Sequence, residues 1–481
     1  MMKPTYCNPL CVENIPAGRW LDTSLSKQDP KDFPDYRSIS DPSVIYHDGK
    51  WILFASYGIA HVSEDFVHWK HVDVGVPNVR YSPAVVCFRG KWYLQGHGQS
   101  EVYCADNVLG PYTLCGNLTK VTGETFRAAD GCFLADGDRL YFYWCKSRPA
   151  LPEENADIIT GTVGVELDPE KPWQAITEPV WINHFNSSVK WQRTGERNQH
   201  ERRGWVEGQW MFKIGSRYYL LHSGSGTEFS SYANGIAYSD EGPLSGFVAQ
   251  KRNNGLLTEK RTGLMRGAGH GSVAQGPNGT YWVFYTNTFR FNHMFERRIS
   301  MDPIGIDENG ELFCTATTET PQFAPGVLEH PENGNDAGLL PLTFFQEPAT
   351  SSHIPGREPI YAVDESTITW WQPSPDDKEP TAVISLGGLF DVSAIRLIWR
   401  DIGMETMEGI MPGPFQYVIE YSCHGEWAML VDASKNDKDL AIDYRTFETV
   451  QTSAIRLRIL GSPEGIQPGL VNITAFGTIS K

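Results

Sequence analysis

Residues 41–54 are Asp41-Pro42-Ser43-Val44-Ile45-Tyr46-His47-Asp48-Gly49-Lys50-Trp51-Ile52-Leu53-Phe54, and a stretch of this pattern recurs along the chain. A polar residue opens a strand-like run, a turn containing glycine follows, and a second run rich in aromatic residues completes the unit. Two strand-like runs joined by such a turn are typical of an antiparallel hairpin. Hairpins that recur at intervals indicate a repeat architecture.

Four further copies of this unit follow, and they begin at Ser82, Asp130, Glu207 and His270. Each copy has its own aromatic second strand, such as Tyr141-Phe142-Tyr143-Trp144 in the third. Five short antiparallel sheets in succession predict a five-bladed β-propeller. A repeat solenoid is the alternative, but solenoid repeats are shorter and more uniform.

The repeat stops near residue 325. Residues 325–358 are rich in Pro, Gly, Asn and Ser, which is typical of a connector, and alternating strand-like runs then resume. The chain is therefore predicted to be all-β, with a propeller over 1–324, a connector over 325–358 and a jelly-roll β-sandwich over 359–481. The apolar run 339–345 would be costly to leave in water, so we expect the connector to dock on the propeller.

Composition restricts the partners of the protein. A formal net charge of −17 disfavours binding to nucleic acids and to anionic membranes. No apolar run is long enough for a transmembrane helix, and the first residues lack the apolar stretch of a signal peptide. We therefore expect a cytoplasmic protein, or a secreted or periplasmic one whose leader has been removed. The nine cysteines have no metal-site spacing with histidines and are expected to be reduced thiols.

Polar residues occupy equivalent positions in the five units. Asp41, Ser82 and Asp130 each lie ten residues before the first residue of the second strand of their unit. Glu207 and His270 each lie eleven residues before theirs. Equivalent positions of successive blades form a ring around the propeller axis. We therefore expect three carboxyl groups and an imidazole to face one central cavity.

Such a group of carboxyls suits glycoside hydrolysis. One carboxylate acts as base and one carboxylic acid protonates the leaving oxygen, with a separation of roughly 6.5–9.5 Å when a water must fit between them. A third carboxylate raises the pKa of the acid by repulsion. Taken singly, Asp41 before Pro42 is typical of a turn, Asp130 of a hairpin cap and His270 of a structural histidine. Their shared position in the repeat favours the catalytic interpretation.

Residues from about 36 to 320 resemble glycoside hydrolase family 43, which includes β-xylosidases and α-L-arabinofuranosidases. Where the family commonly has Glu-Gly-Pro, this chain has Glu207-Gly208-Gln209. The resemblance is carried by four motifs, Ser40-Asp41-Pro42-Ser43-Val44, Ala129-Asp130-Gly131, Val206-Glu207-Gly208 and Gly269-His270-Gly271-Ser272-Val273.

The resemblance implies a role for each of five residues. Asp41 would be the general base, Asp130 the residue that modulates the pKa of the acid and orients it, and Glu207 the general acid. His270 matches the histidine of the central channel, and Arg297 matches an arginine that contacts sugar hydroxyls. The family's mechanism inverts the anomeric carbon and requires no cofactor. The resemblance also allows a structural Ca²⁺ ion in the propeller channel, which nothing in the sequence requires.

The C-terminal part of the chain, 359–479, resembles the discoidin-like sandwich of family 32 carbohydrate-binding modules. Its tryptophans Trp370, Trp371 and Trp427 are candidates for stacking on sugars. They lie inside strand-like runs, however, which favours a place in the core. We therefore expect the sandwich to be mainly a structural partner of the propeller.

The sequence favours one function and leaves others open. The leading prediction is an inverting glycosidase of the β-xylosidase or α-L-arabinofuranosidase type, acting on neutral plant oligosaccharides or on side chains of xylan or arabinan. A galactofuranosidase, a fructan hydrolase or an anhydro-galactose hydrolase would use the same three acids. A non-catalytic carbohydrate-binding propeller is the alternative from another class. The insert 184–203, just before Glu207, is predicted either to wall the pocket or to be a solvated loop.

Overall fold

The computed structural model describes residues 3–16, 37–55, 59–76, 79, 81–289 and 296–480. These residues form 33 β-strands, and no α-helix occurs among them. The described part of the chain also has no helix long and apolar enough to cross a membrane. Seven short 3₁₀ helices connect strands, namely Pro152–Glu154, Lys190–Gln192, Arg252–Gly255, Pro277–Gly279, Pro331–Asn333, Pro359–Ala362 and Thr406–Glu408. The predicted all-β class is confirmed.

The first three blades are antiparallel sheets whose strands follow chain order from the channel outwards. A two-residue strand, β1 (Thr5–Tyr6), precedes them. Blade one consists of β2 (Ser43–His47), β3 (Lys50–Phe54), β4 (Ile59–Ser63) and β5 (Lys70–Asp73). Blade two consists of β6 (Ala84–Phe88), β7 (Lys91–Gln95), β8 (Glu101–Ala105) and β9 (Thr113–Asn117). Blade three consists of β10 (Ala129–Asp136), β11 (Arg139–Pro149), β12 (Ile158–Asp168), β13 (Lys171–Ala175) and β14 (Val180–His184).

A hairpin separates blade three from the last two blades. It consists of β15 (Arg193–Thr194) and β16 (His200–Gly204). Blade four consists of β17 (Glu207–Ile214), β18 (Arg217–Gly224), β19 (Ala233–Ser239), β20 (Val248–Ala249) and β21 (Leu256–Glu259). Blade five consists of β22 (Arg266–Gln275), β23 (Tyr281–Thr288), β24 (Arg297–Ile306) and β25 (Leu312–Cys314), and β26 (Gln322–Phe323) then pairs with β1. Five blades confirm the predicted propeller.

The ring closes where blade five meets blade one. The backbone N–H of Val44 donates to Ser272 Oγ at 3.1 Å, so β2 is joined to β22 across the gap. Trp51 packs against Phe284 with ring centroids 5.6 Å apart, and both side chains are buried. Each fully buried side chain of this size stabilises the fold by roughly 1.5–3 kcal/mol. The contact keeps the inner strands of all five blades around one channel.

The insert before Glu207 is docked at one end and solvated at the other. Trp191 is buried on blade four, and a Cβ on Gly224 or Gly235 would lie within 2.5 Å of its ring atoms. The two glycines therefore make room for the indole. The first four residues of β16 are exposed. The exposed β16 agrees with the solvated-loop alternative for that part of the insert, and the wall of the pocket stays a prediction.

The C-terminal domain is a β-sandwich whose two longest strands carry bulges that let the sheet fold over its core. Its strands are β27 (Leu340–Pro341), β28 (Ala349–Thr350), β29 (Thr381–Ile402), β30 (Gln416–Cys423), β31 (Glu426–Ala433), β32 (Ile442–Gly461) and β33 (Gln467–Ile479). Trp370 and Trp371 are buried, and Trp427 is half-buried beneath Arg456 at 4.4 Å. The positions of Trp370 and Trp371 agree with the expected core role, whereas Trp427 lies outside the core clusters.

The segment predicted as a connector contributes to the sandwich. Within it, β27 pairs with β33 and β28 pairs with β29. Leu339 is buried beside Cys7, as expected for a docked segment. Phe344 and Phe345 are 47% and 59% exposed, so the expectation that the whole run docks is wrong for them. They lie in a turn that follows the short strand β27, which leaves both rings in solvent.

The sandwich packs directly on the propeller. Arg37, only 4% exposed, donates to Asp401 at 2.9 Å and forms a second ion pair with Asp439. Both carboxylates belong to the sandwich. Arg396 of the sandwich donates to the carbonyl oxygen of Asn8 at 3.0 Å. An apolar cluster adds residues from both domains, namely Leu264, Met265, Phe289, Trp370, Ile398, Ala441, Ile442 and Val471.

Candidate active site

The candidate active site lies where the inner strands of the blades begin. At this point the backbone is left-handed in every blade. The residues concerned are Asp41, Ser82, Asp130, Gly208 and His270, with φ values of 52°, 46°, 51°, 59° and 37°. A left-handed backbone costs a residue other than glycine about 1–3 kcal/mol and is concentrated at functional sites. The repeat seen in the sequence is thus also a repeat of backbone geometry.

Asp41 is held by a fork of hydrogen bonds. Arg297 donates from Nη1 to Oδ1 and from Nη2 to Oδ2 of Asp41, both at 2.9 Å. Ser40 Oγ donates to Oδ2 at 3.1 Å, and Nδ1 of His270 lies 3.3 Å from Oδ1. The planar guanidinium matches the carboxylate, so the orientation of the carboxylate is fixed. About four acceptor positions are available on a carboxylate, and the three hydrogen bonds leave one on Oδ1, on the oxygen that Nδ1 of His270 approaches.

Asp130 is held as a carboxylate by two partners from blade two. Ser82 Oγ donates to Oδ1 at 2.9 Å, and Nδ1 of His97 lies 2.7 Å from the same oxygen. Burial opposes ionisation, but the charge of His270 and the hydrogen bond and charge of His97 outweigh it. Together they hold the pKa of Asp130 well below its usual range. The pKa of His97 is raised in return, because Asp130 outweighs the effect of burial on the imidazole.

Glu207 has the opposite shift. Desolvation, followed by the negative charge of Asp130, raises the pKa of Glu207 to about 7. The indole N–H of Trp205 donates to Oε2 at 2.5 Å, and the hydroxyl of Tyr232 donates to Oε1 at 2.9 Å. These donors lower the pKa only in part, and they fix the direction of the carboxyl group. Glu207 is therefore protonated over a range of pH in which Asp130 is charged.

His270 is packed at the centre of the three acids. A Cβ on Gly208 would lie 2.9 Å from Cγ of His270 and 2.7 Å from Ser223 Oγ. The backbone N–H of His270 also donates to Ser223 Oγ, at 2.6 Å. The glycine after Glu207 is therefore needed for space as well as for its φ of 59°. The Glu207-Gly208 pair brings the carboxyl and the imidazole together.

The structure brings the five predicted site residues to one end of the channel. Asp41 contacts both Arg297 and His270, and the charges of Asp130 and His270 both act on Glu207. Arg297 is 6% exposed and is hydrogen-bonded to Asp41, so its contact with a sugar hydroxyl stays a prediction.

Three partners of the acids were not predicted. His97 lies between two glycines just after β7. A Gly-His-Gly sequence predicts a loop, which only weakly indicates that the histidine takes part in a site. Tyr232 and Trp205 lie before β19 and β17, outside the repeated unit, and nothing in their spacing distinguishes them.

The described residues contain no group of three His, Cys, Asp or Glu side chains that is arranged to hold a metal ion. Asp130 and Asp41 are instead hydrogen-bonded to side chains of the protein. The structural Ca²⁺ ion that the resemblance allows therefore stays a prediction.

Two solved structures with TM-scores above 0.5 have the same fold as this chain. A protein described as a glycoside hydrolase is 18% identical with a TM-score of 0.51, and the match covers 91% of this chain and 97% of that one. A thermostable family-43 glycoside hydrolase is 20% identical with a TM-score of 0.51, over 67% of this chain and 99% of that one. BlXynB of Bacillus licheniformis, a family 43 protein, is 15% identical with a TM-score of 0.48, over 98% of each chain.

Sequence comparison gives the family. No curated protein matches the chain. The profile described as glycosyl hydrolases family 43 matches residues 37–312, which is more than half of the 481 residues and includes every residue of the site. The non-catalytic alternative is therefore set aside. The chain is a glycoside hydrolase, and it belongs to glycosyl hydrolase family 43.

Proposed function

We propose that the protein is an inverting exo-glycosidase that releases neutral pentose units, β-D-xylose or α-L-arabinofuranose, from plant-type oligosaccharides or polysaccharide side chains. The observation that carries the proposal is the opposite protonation of two neighbouring carboxyls. The pKa of Glu207 is raised to about 7, whereas that of Asp130 is held well below its usual range. Acid catalysis near neutral pH needs such a pair. The pentose class comes from the sequence resemblance described above.

In the proposed mechanism Asp41 is the general base. A water between Asp41 and the sugar attacks the anomeric carbon and gives its proton to the acceptor position that Ser40 and Arg297 leave free. The fork of Arg297 keeps the carboxylate in one orientation while the water reacts. Orientation of this kind contributes to the rate because the reacting atoms need no further alignment.

Glu207 is the proposed general acid. As the bond to the anomeric carbon breaks, the carboxylic acid of Glu207 gives its proton to the leaving oxygen. The carboxylate that results is stabilised by the two hydrogen bonds already in place, from Trp205 and Tyr232. Asp130 touches neither water nor leaving group in this scheme. Its charge raises the pKa of Glu207, so the acid stays protonated before the reaction.

A panel of aryl glycosides tests the substrate class. Aryl β-D-xyloside and aryl α-L-arabinofuranoside are expected to be cleaved, and aryl galactofuranoside and a fructan to be left intact. The Asp41→Asn variant, purified in the same way, serves as the control for contaminating activity. Cleavage of the galactofuranoside or the fructan alone would favour another propeller hydrolase and would overturn the pentose assignment.

Inversion is tested separately by NMR on the first product. A β-xyloside should release α-xylose first, because one displacement by water inverts the anomeric carbon. Early appearance of β-xylose would show that the reaction passes through a covalent intermediate. The role of Asp41 would then be that of a nucleophile rather than a base.

A further inference from the structure

A groove on blade three lies beside the two acids. It has a volume of about 400 Å³ and is lined in part by Phe126, Arg127, Ala129, Cys145 and Lys146. This volume is within the range of small-molecule sites, which is roughly 300–1,000 Å³. None of the five residues with a proposed role in catalysis or sugar contact lines it. The groove is therefore separate from the position of the sugar whose bond is cleaved.

The inner wall of the groove is one residue away from each acid. Ala129 immediately precedes Asp130, and it pairs across the hairpin with Cys145. The thiol of Cys145 lies 3.6 Å from the carbonyl oxygen of Val206, the residue before Glu207. Because β11 runs antiparallel to β10, its C-terminal end, with Lys146, lies at the same end of the blade as Asp130. A chain of sugars extending from the active site along blade three would enter the groove.

The lining combines aromatic rings with cations. Phe126 and Trp144 pack with ring centroids 4.8 Å apart and form the apolar wall. Arg127 and Lys146 are exposed, and within the described parts of the chain neither has a carboxylate at ion-pair distance. Lys120, which also lines the groove, is paired with Glu124 at 2.7 Å. The chain has a net charge of −17, so two cations at one groove without an ion-pair partner among the described residues differ from its overall negative charge.

We propose that this groove is an accessory subsite for a hexuronic acid unit of the substrate. The C–H face of a sugar ring suits the aromatic wall, and its carboxylate suits the guanidinium of Arg127 and the ammonium of Lys146. A neutral sugar would use only the wall. The proposal rests on the proposed glycosidase function for the direction in which the substrate extends, but the binding of a uronate to the groove does not depend on it.

Binding is measured on the Glu207→Gln protein so that no substrate is consumed. The two probes are xylotriose and xylotriose that carries a 4-O-methylglucuronic acid side group, compared by titration calorimetry at low salt. The charged probe is expected to bind about fivefold to tenfold more tightly, and 0.5 M NaCl should remove most of the difference because exposed charges are screened. Equal affinity for the two probes would overturn the proposal.

Substitution locates the site. Adding Arg127→Gln and Lys146→Gln should bring the affinity ratio of the two probes close to one, with an unchanged melting temperature as the check on folding. Lys171→Gln is the control for loss of a single lysine charge, at the opposite end of blade three, and should leave the ratio as it was. A preference for the charged probe that persists without Arg127 and Lys146 would place the uronate elsewhere and contradict the proposal.

A second pair of probes separates this proposal from the proposed function. Methyl β-D-glucuronide and methyl β-D-glucoside are compared by NMR with and without the two substitutions. Binding of the glucuronide alone, lost on substitution, would support the subsite even if no pentoside is hydrolysed. Hydrolysis of xylosides without any preference for the glucuronide would leave the proposed function intact and overturn the subsite.

Discussion

At the scale of single residues, Asp130 and Glu207 have opposite pKa shifts because they have different partners. Asp130 receives hydrogen bonds from Ser82 and His97, whereas Glu207 is desolvated and lies close to the charge of Asp130. The two groups titrate as a pair, so a change at one alters the other. The shift of Glu207 is thus a property of its surroundings and can be altered without touching Glu207.

The pH profile should follow the pKa of the acid. With a pKa of about 7 for Glu207, kcat/KM is expected to fall above pH 7, since the general acid must be protonated. Asp130→Asn removes the negative charge that raises this pKa and leaves the opposing effects of His270, Tyr232 and Trp205. The alkaline limb should therefore move to lower pH. A limb that stays in place in the Asp130→Asn variant would contradict the role given to Asp130.

Loss of either proposed catalytic group should lower turnover by at least about a hundredfold. Asp41→Asn and Glu207→Gln are nearly isosteric, so the fold should persist and kcat is the quantity to measure. The leaving group of the substrate distinguishes the effects of the two substitutions. A 2,4-dinitrophenyl glycoside needs little protonation and should restore much of the activity of Glu207→Gln but not that of Asp41→Asn. Near-normal turnover on a poor leaving group in either variant would refute its assignment.

At the scale of structural elements, the start of each inner strand is the feature that positions the chemistry. Gly208 has a φ of 59° and no space for a Cβ, because Ser223 Oγ and His270 Cγ would lie 2.7 and 2.9 Å from it. Gly215, in the hairpin of the same blade, has a φ of 61° and nothing within 4 Å of an added Cβ. The pair separates the effect of backbone conformation from that of crowding.

Gly208→Ala is expected to destabilise the protein by about 1–3 kcal/mol and to lower kcat more than tenfold, since the clash displaces His270 and Glu207. Gly215→Ala carries the conformational cost alone and should leave kcat unchanged. Chemical unfolding and steady-state kinetics on both variants check this. If the two variants lose activity to the same extent, crowding at His270 is not the cause.

The repeat made much of the site predictable, and the limit of the repeat explains what was missed. Asp41, Asp130 and His270 share a position in a periodic pattern, and a period can be counted in the sequence. His97 and Tyr232 reach the acids from strand ends and loops whose placement depends on how two blades pack. Local patterns do not contain that information.

At the scale of the whole molecule, the sandwich is tied to the segment that carries Asp41, the proposed base. Arg37, four residues before Asp41, is buried against Asp401 and Asp439 of the sandwich. The backbone N–H of Ile39 then donates to the carbonyl oxygen of Arg297 at 3.1 Å. The docking surface and the fork that holds Asp41 are therefore parts of one stretch of chain.

Removing the two sandwich carboxylates should affect both stability and catalysis. The double variant Asp401→Asn with Asp439→Asn removes both ion-pair partners of buried Arg37 and leaves only the electrostatic effect of Glu296, which costs up to about 3–5 kcal/mol. We expect a lower melting temperature and a lower kcat, because segment 37–41 loses its anchor. Glu379→Gln removes an exposed partner of Arg458 within the sandwich and should change stability by less than about 0.5 kcal/mol. Unchanged kcat in the double variant would show that the sandwich does not position the base.

The domain layout was predictable to the extent that composition marks it. The Pro- and Gly-rich character of 325–358 indicates a break in the repeat, but it does not show that β27 and β28 pair with distant strands. A strand of two residues is too short to show the alternation of apolar and polar residues by which strands are predicted from sequence. The burial of Leu339 and the exposure of Phe345 likewise depend on which strand lies beside each, and not on hydrophobicity alone.

The ion pairs of Arg37 also depend on the order in which the chain is synthesised. Ribosomes deliver the N-terminal part of a chain first. Arg37 therefore leaves the ribosome 364 residues before Asp401 and 402 residues before Asp439. A nascent chain that has all five blades still lacks both carboxylates, so segment 37–41 is held only by contacts within the propeller, such as the hydrogen bond from Ile39 to Arg297. The anchor of this segment on the sandwich can form only after the whole propeller has been synthesised.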